Sequence, residues 1–274
     1  MHRNVLCLLV FLASISPHRA WAGSDSDWHA VYDAYAAGFN AVQLRTNFGF
    51  DAQGYRVSVQ SRTVGLVDLF VGSRQFTAAE GVWQGERPQP RQFKADGLWR
   101  GKRRVALIDY QQGMPVIRDL VPPETSREPV SPQLQANTLD TLSPLAFLAY
   151  RVAATGNCDA TAHTFDGRRL EAVTTRTGGW EILPPSTVSV FTGRALRCDF
   201  EAHQIGGFVP GEDREAAAQP RRGSIWVASP AAGAPPLPVQ ISLEYGWLGH
   251  ATAYLSEIGR GSTGAPREAA VGTD

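Results

Sequence analysis

Arg194-Ala195-Leu196-Arg197-Cys198-Asp199-Phe200-Glu201-Ala202 alternates residue by residue, with Leu196, Cys198 and Phe200 on one side and Arg197, Asp199 and Glu201 on the other. A period of two is the strand period, because successive side chains leave a strand on opposite faces. One apolar and one charged face mark an antiparallel sheet that is buried on one side and wet on the other. The pattern recurs in Gly54 to Arg62, where Tyr55, Val57 and Val59 alternate with Arg56, Ser58 and Gln60, and again in Leu237, Val239, Ile241 and Leu243. Weaker versions occupy 29–36, 39–48, 65–72, 81–86, 91–98, 103–110, 168–175 and 246–257. Gly and Pro separate these runs at roughly ten-residue intervals, the spacing of a barrel or sandwich. Asp166-Gly167 reads as a two-residue hairpin turn. The expected fold is mainly β, a curved antiparallel sheet or partial β-barrel.

One segment departs from this period. Pro144 to Ala154 sets Leu145, Leu148, Ala149 and Val152 at helical spacing. Ser143 is the expected N-cap, Pro144 the first helical residue and Gly156 the stop. A helix of about eleven residues is marginal alone, so 144–154 is expected to pack its stripe on the sheet. Asp119 to Asn137, with four prolines, reads as a long connector, and Pro210 to Arg222 as an exposed loop. The expected organisation is one β-rich domain over 23–258 followed by a disordered tail at 259–274, rich in Gly, Ala and charge.

The first 22 residues have the make-up of a cleaved secretory signal. Arg3 precedes an apolar run from Val5 to Ile15, and Ala20-Trp21-Ala22 offers a small-x-small cleavage site before Gly23. The run is short of the roughly 20 apolar residues that span a bilayer, and no later run reaches that length. The mature chain is therefore expected in a bacterial periplasm, without a transmembrane segment. Cys7 leaves with the leader, and Cys158 and Cys198 remain. An even count in an oxidising compartment favours one disulfide over a metal site or a reactive thiol, since neither cysteine has ligand-type neighbours at short spacing. It would tie the end of the helix to a strand. The leader removes Arg3 and Arg19 from 26 basic residues and none of the 26 acidic ones, leaving a net charge near −2. That balance gives no reason to expect nucleic acid or an anionic membrane surface as partner.

Chemistry is hard to place. His29, His163, His203 and His250 lie far apart and show no metal-ligand spacing. No nucleophile elbow, Ser-x-x-Lys pair, zinc-protease helix or phosphate-binding loop is present. Asp140 is read as capping the chain before the helix rather than as a cleft carboxylate. Arg168 and Arg169 could offer guanidiniums to an anionic head group, although solvated arginines at a hairpin tip explain them as well. Phe39, Tyr55, Phe70, Phe93, Trp99, Tyr110 and Trp247 fall on expected strands, where they either fill a core or line a concave face. A hydrolase would need Asp140, Asp166 or a histidine to converge on a nucleophile that the sequence does not identify.

Several of these pieces together resemble a family of exported bacterial envelope proteins known as domain of unknown function 3108. They are Tyr32-x-x-Tyr35-x-x-Gly38, Thr138-Leu139-Asp140-Thr141-Leu142-Ser143, Cys158 before Phe165-Asp166-Gly167-Arg168-Arg169, and Cys198 before Ile205-Gly206-Gly207-Phe208. The likeness spans about residues 29 to 257. It implies an exported, mainly β protein with no assigned catalytic residues. The β-rich pattern with one inserted helix is also similar to the half-open barrels of periplasmic lipoprotein carriers, a likeness of fold alone. The expected role is non-catalytic: a lipid-like or amphipathic molecule bound on the concave face, with no cofactor and no metal. Tyr55 and Trp99 are the candidate aromatic contacts, and Arg168 and Arg169 the candidate polar ones at the mouth. The alternative is a module that contacts another envelope protein through a sheet edge or the 210–222 loop.

Overall fold

The computed structural model describes residues 27–244 and 249–261. The expected leader, Trp247 and most of the expected tail lie outside the described residues. Seven strands come first: β1 (Trp28–Ala36), β2 (Phe39–Phe50), β3 (Gly54–Thr63), β4 (Ser73–Gln84), β5 (Arg87–Trp99), β6 (Lys102–Gln111) and β7 (Met114–Val121), with α1 (Gly65–Val71) between β3 and β4. Then come α2 (Pro132–Gln135) and α3 (Ser143–Thr155). Six more strands follow: β8 (Ala160–Phe165), β9 (Leu170–Leu183), β10 (Gly193–Gly206), β11 (Arg221–Ala228), β12 (Leu237–Glu244) and β13 (His250–Arg260), with α4 (Arg214–Ala217) before β11.

These strands form one antiparallel sheet of thirteen, in the order β7-β6-β5-β4-β3-β2-β1-β13-β12-β11-β10-β9-β8. It consists of two meanders joined where β1 pairs with β13, Trp28 opposite Arg260. Alternation becomes burial as expected: Leu196 and Cys198 are buried while Arg197 and Asp199 stay near the surface. Twist curls so wide a sheet, and its inner face fills with Trp28, Tyr32, Phe48, Phe93, Ile108 and Leu237 in one core.

The outer strands β7 and β8 do not pair, so the barrel is not closed by strands. The connector stitches the seam instead. Leu139 donates its N–H to His163 O and accepts from Phe165 N, both at 2.8 Å, while Asn137 N reaches Gly113 O at 2.8 Å. Lower down, Arg168 Nη2 donates to Pro122 O at 2.7 Å, and its Nε lies 3.5 Å from Glu124. Gly207, at φ +72°, leaves no space for a Cβ beside the Arg168 carbonyl, so only glycine lets the chain pass there.

Four local expectations are corrected. Residues 65–72, expected as a strand, form α1, because Gly65 and Gly72 take positive φ at its ends and Gly72 N donates to Asp68 O. The apolar run there lacks alternation, and β3 pairs directly with β4 around it. The Asp166-Gly167 hairpin is centred one residue later. Asp166 N donates to Arg169 O, and its carboxylate accepts from the N–H groups of Arg168 and Arg169 at 2.8 and 2.6 Å, so Gly167 and Arg168 are the central pair. The 119–137 connector and the 210–222 loop are shorter than expected, since β7 runs to Val121, β11 starts at Arg221 and the short α2 and α4 occupy part of each. Ser143 lies inside α3, and the N-cap position is Leu142, which makes no side-chain cap; Asp140, two residues earlier, accepts instead from Leu142 N and Ser143 N.

α3 ends at Gly156 in the left-handed conformation, as expected. Two residues on, Cys158 is bonded to Cys198 of β10. Leu148 and Val152 share a cluster with both cysteines, Leu196 and Val227. The helix therefore crosses the inside of the curve, from β3 and β4 at its start to β10 and β11 at its end.

Two outcomes follow for stability. A Cys158→Ser/Cys198→Ser chain, having lost a bridge across 40 residues, should unfold in urea with about 4 kcal/mol less stability, by the loop-entropy relation. Ala149→Asp, at a buried position, should cost at least about 3 kcal/mol. Arg151→Ala, which removes an ion pair to exposed Glu86 and a hydrogen bond to Asn157, should cost about 1 kcal/mol.

Candidate functional site

A cleft of about 430 Å³ opens where α3 meets the rim of the sheet. Its walls are Phe50, Trp83, Ala149, Tyr150, Ala153 and the Pro235-Pro236 pair. Each wall has a local cause. Ala149 and Ala153 stand one turn apart on α3, and their small side chains leave a groove that a larger pair would fill. Prolines 235 and 236 stiffen the segment leading into β12. Trp83, near the end of β4, is held by its indole N–H, which lies 3.1 Å from both Asp51 O and Gly54 O. That bond fixes the β2–β3 turn to β4, helped by Asp51 accepting from Gln53 N and Gly54 N at 2.8 Å.

The aromatic rings form a ladder. Tyr55 and Trp83 lie 5.1 Å apart between ring centres, and Trp83 and Tyr150 lie 4.7 Å apart at 30°. Such offset pairs add to simple burial and hold one another in place. At the rim, Arg151 lies 3.5 Å from Glu86 and donates to Asn157 Oδ1 at 2.9 Å. The cleft thus offers mostly apolar walls, with Asp51 in its lining and the Arg151–Glu86 pair beside its mouth.

Beneath it lies a polar knot. Tyr55 OH and Ser143 Oγ are 2.6 Å apart, and Ser143 Oγ donates to Asp140 Oδ2. Asp140 Oδ1 accepts from Leu142 N at 2.7 Å and Ser143 N at 2.8 Å. Burial raises the Asp140 carboxyl above the ordinary carboxylate range despite these donors. Burial likewise raises the Tyr55 and Tyr110 hydroxyls. Gly81 of β4 makes room for the Tyr55 ring, since a Cβ there would overlap its hydroxyl. Ser143 and Asp140 have no exposed surface, so the group clamps the start of α3 to β3 and is out of reach of a solvent-borne substrate. No three His, Cys, Asp or Glu side chains converge on a metal site among the described residues.

The structure does not bring the four sequence candidates together. Tyr55 backs the cleft from behind Trp83 and is buried. Trp99 pairs with Ser73 at the other end of the β4–β5 hairpin, ten residues along β4 from Trp83, or roughly 33 Å at the strand rise. Arg168 and Arg169 lie at the β8–β9 turn, also at that far end. Arg168 is taken up by Pro122 O and Glu124, and Arg169 lies 3.2 Å from Asp166. Phe39 and Phe70 are exposed, whereas Phe93 is in the core. Sequence reasoning passed over Trp83 and Tyr150. The available signal was Tyr150 itself, an aromatic residue off the apolar stripe of its helix.

Asp140→Ala should lower stability by about 2–3 kcal/mol, because three buried donors lose their acceptor. The raised carboxyl also gives a signed pH effect. A native state that holds its proton more tightly than the unfolded chain gains stability that is complete below the ordinary carboxyl pKa and is lost as pH rises through the raised one. Denaturation of the unaltered chain and Asp140→Asn across that range should show their difference shifting toward the unaltered chain on acidification.

No curated protein matches the chain. A crystal structure of a β-barrel-like protein of domain of unknown function DUF1849 from Brucella abortus matches with a TM-score of 0.48 at 12% identity, covering 86% of this chain and 98% of the other. The model of the family described as protein of unknown function DUF3108 matches residues 31–256. That span runs from β1 into β13 and takes in α3, both cysteines and every wall of the cleft. The chain belongs to the DUF3108 family.

Proposed function

We propose that the protein is exported to the periplasm and there holds an apolar or amphipathic molecule, without catalysis, in the cleft beside α3. The observation that carries this reading is the cleft itself: about 430 Å³, walled mostly by Trp83, Tyr150, Phe50, alanines and prolines, with Asp51 the one charged residue of its lining and the Arg151–Glu86 pair beside it. That volume falls in the range of small-molecule sites, and such walls suit ring stacking or an alkyl chain. The concave face is occupied by core side chains, so the ligand lies at the rim of the sheet rather than inside its curve. Export is supported by the leader-like first 22 residues and by the disulfide.

Docking to another protein by strand addition has less support at β8, where Leu139 bridges to Thr164 through the backbone of His163 and Phe165. The 210–222 loop is tied to the connector through Arg214 and Glu128, and Arg214 also lies over the Phe208 ring.

Native mass spectrometry of protein from the periplasmic fraction should show an added mass that organic extraction removes. Ala153→Trp fills the groove while removing no contact, and should abolish the added mass with the melting temperature unchanged. A bare mass for the unaltered chain, or an added mass that survives Ala153→Trp, would overturn the reading.

A further inference from the structure

The end of the sheet away from the cleft carries an apolar surface that the binding reading does not use. α1 is Gly-Leu-Val-Asp-Leu-Phe-Val, and none of its seven residues is buried. Leu66, Leu69 and Phe70 are 59%, 78% and 82% exposed. A helix on a sheet ordinarily turns its apolar side chains to the core, and this one leaves its largest in solvent.

Neighbouring turns extend the surface. At the start of α1, Val64 N donates to Ala41 O at 3.0 Å, which brings in the β1–β2 turn with exposed Phe39. At its end, Arg100 N donates to Gly72 O at 3.3 Å, which brings in the β5–β6 turn with exposed Leu98 and Trp99. Singly scattered exposed leucines need no explanation, but a contiguous patch around one helix does.

Positive charge surrounds the patch. Arg62 and Arg74 face each other across β3 and β4 on either side of α1. Arg100, Lys102, Arg103 and Arg104 cluster at the next turn, all exposed. Of the nearby carboxylates, Asp96 lies 3.0 Å from Arg103 and Asp68 accepts from Thr63 Oγ1 at 2.5 Å. Asp33, further along β1, accepts from Gln43, and Asp119 of β7 acts on Arg103. Among the described residues, Arg62, Arg74, Arg100 and Lys102 have no carboxylate within ion-pair distance. A net charge near zero for the whole chain therefore conceals a cationic corner around α1, while Glu124, Asp166, Glu212 and Glu244 sit at the same end of the sheet beside the ends of β7 to β12.

We infer that the corner around α1 docks on an anionic phospholipid bilayer. Leu66, Leu69 and Phe70 enter the boundary between headgroups and acyl chains, and Arg62, Arg74, Arg100 and Lys102 meet lipid phosphates. A convex apolar helix ringed by cations complements a partner that is anionic at its surface and apolar just beneath, which is the profile of a bilayer. Trp99, with the Arg100 guanidinium 5.9 Å from its ring centre, suits the headgroup level. Docked this way, the protein keeps its cleft directed away from the membrane.

Flotation with vesicles tests this. The chain from Gly23 carries every described element, which begin at Trp28. It should float with vesicles of equal parts phosphatidylcholine and phosphatidylglycerol, and less so as salt is raised. Leu69→Ser/Phe70→Ser should weaken binding by roughly tenfold or more. Arg62→Gln/Arg74→Gln/Lys102→Gln should weaken it several-fold and flatten the salt dependence. Ala153→Trp, at the cleft, should leave it unchanged, so a failed ligand reading and a failed docking reading give different results. The substituted residues are exposed, and unchanged melting temperatures confirm that each variant is folded. Absence of flotation, equal flotation with phosphatidylcholine alone, or flotation that survives the Leu69/Phe70 change would overturn the inference. So would sedimentation showing a dimer that the Leu69/Phe70 change converts to monomer, since a second copy would then cover the face.

Discussion

α3 is held at both ends, and the rest of the candidate site depends on that restraint. A thirteen-residue helix has little stability of its own in water, and this one lies across a curved sheet rather than flat on it. At its start, Asp140 satisfies two backbone donors, and Ser143 passes the connection to Tyr55 of β3. At its end, a covalent bond joins it to β10. The helix thereby spans the two meanders, and the groove along its Ala149–Ala153 side is what remains between it and the rim. The cleft exists because the helix cannot settle further in.

The same geometry explains why polar and apolar layers alternate at this rim. Tyr55 buries its ring against Trp83 and turns its hydroxyl to Ser143, so one side chain belongs to both the ladder and the knot. Buried hydroxyls of this kind are costly unless partnered. Tyr110, whose hydroxyl is buried without a partner among the described residues, shows how tightly the space beside Asp140 is filled.

Much of the architecture was legible in the sequence, because strand alternation and burial report the same thing. Leu196 and Cys198 are readable as inward without any knowledge of their neighbours. The helix was legible through its 3.6-residue stripe, and the disulfide through an even cysteine count beyond the leader-like start. Residues 65–72 were misread because an unbroken apolar run has no period, and only the paired left-handed glycines make it a helix. The site was barely legible. Trp83 and Tyr150 lie on different elements 67 positions apart in the numbering and meet only through the path of α3, and no local pattern encodes that path. Arg168 illustrates the converse: its side chain is free by sequence and engaged in space, because the seam it closes joins segments far apart along the chain.

The β1–β13 pairing has a consequence for how the chain can reach this state. The first strand of the fold finds one of its two neighbours more than two hundred residues later. Contacts of such separation are late and slow to form, because the loop they close carries the entropy of the whole chain. Until β13 is free of the ribosome, β1 retains an unpaired edge, and only α3 and the connector link the two meanders. The fold is thus completed from its two ends inward, and loss of the last strand would divide the sheet in two rather than shorten it.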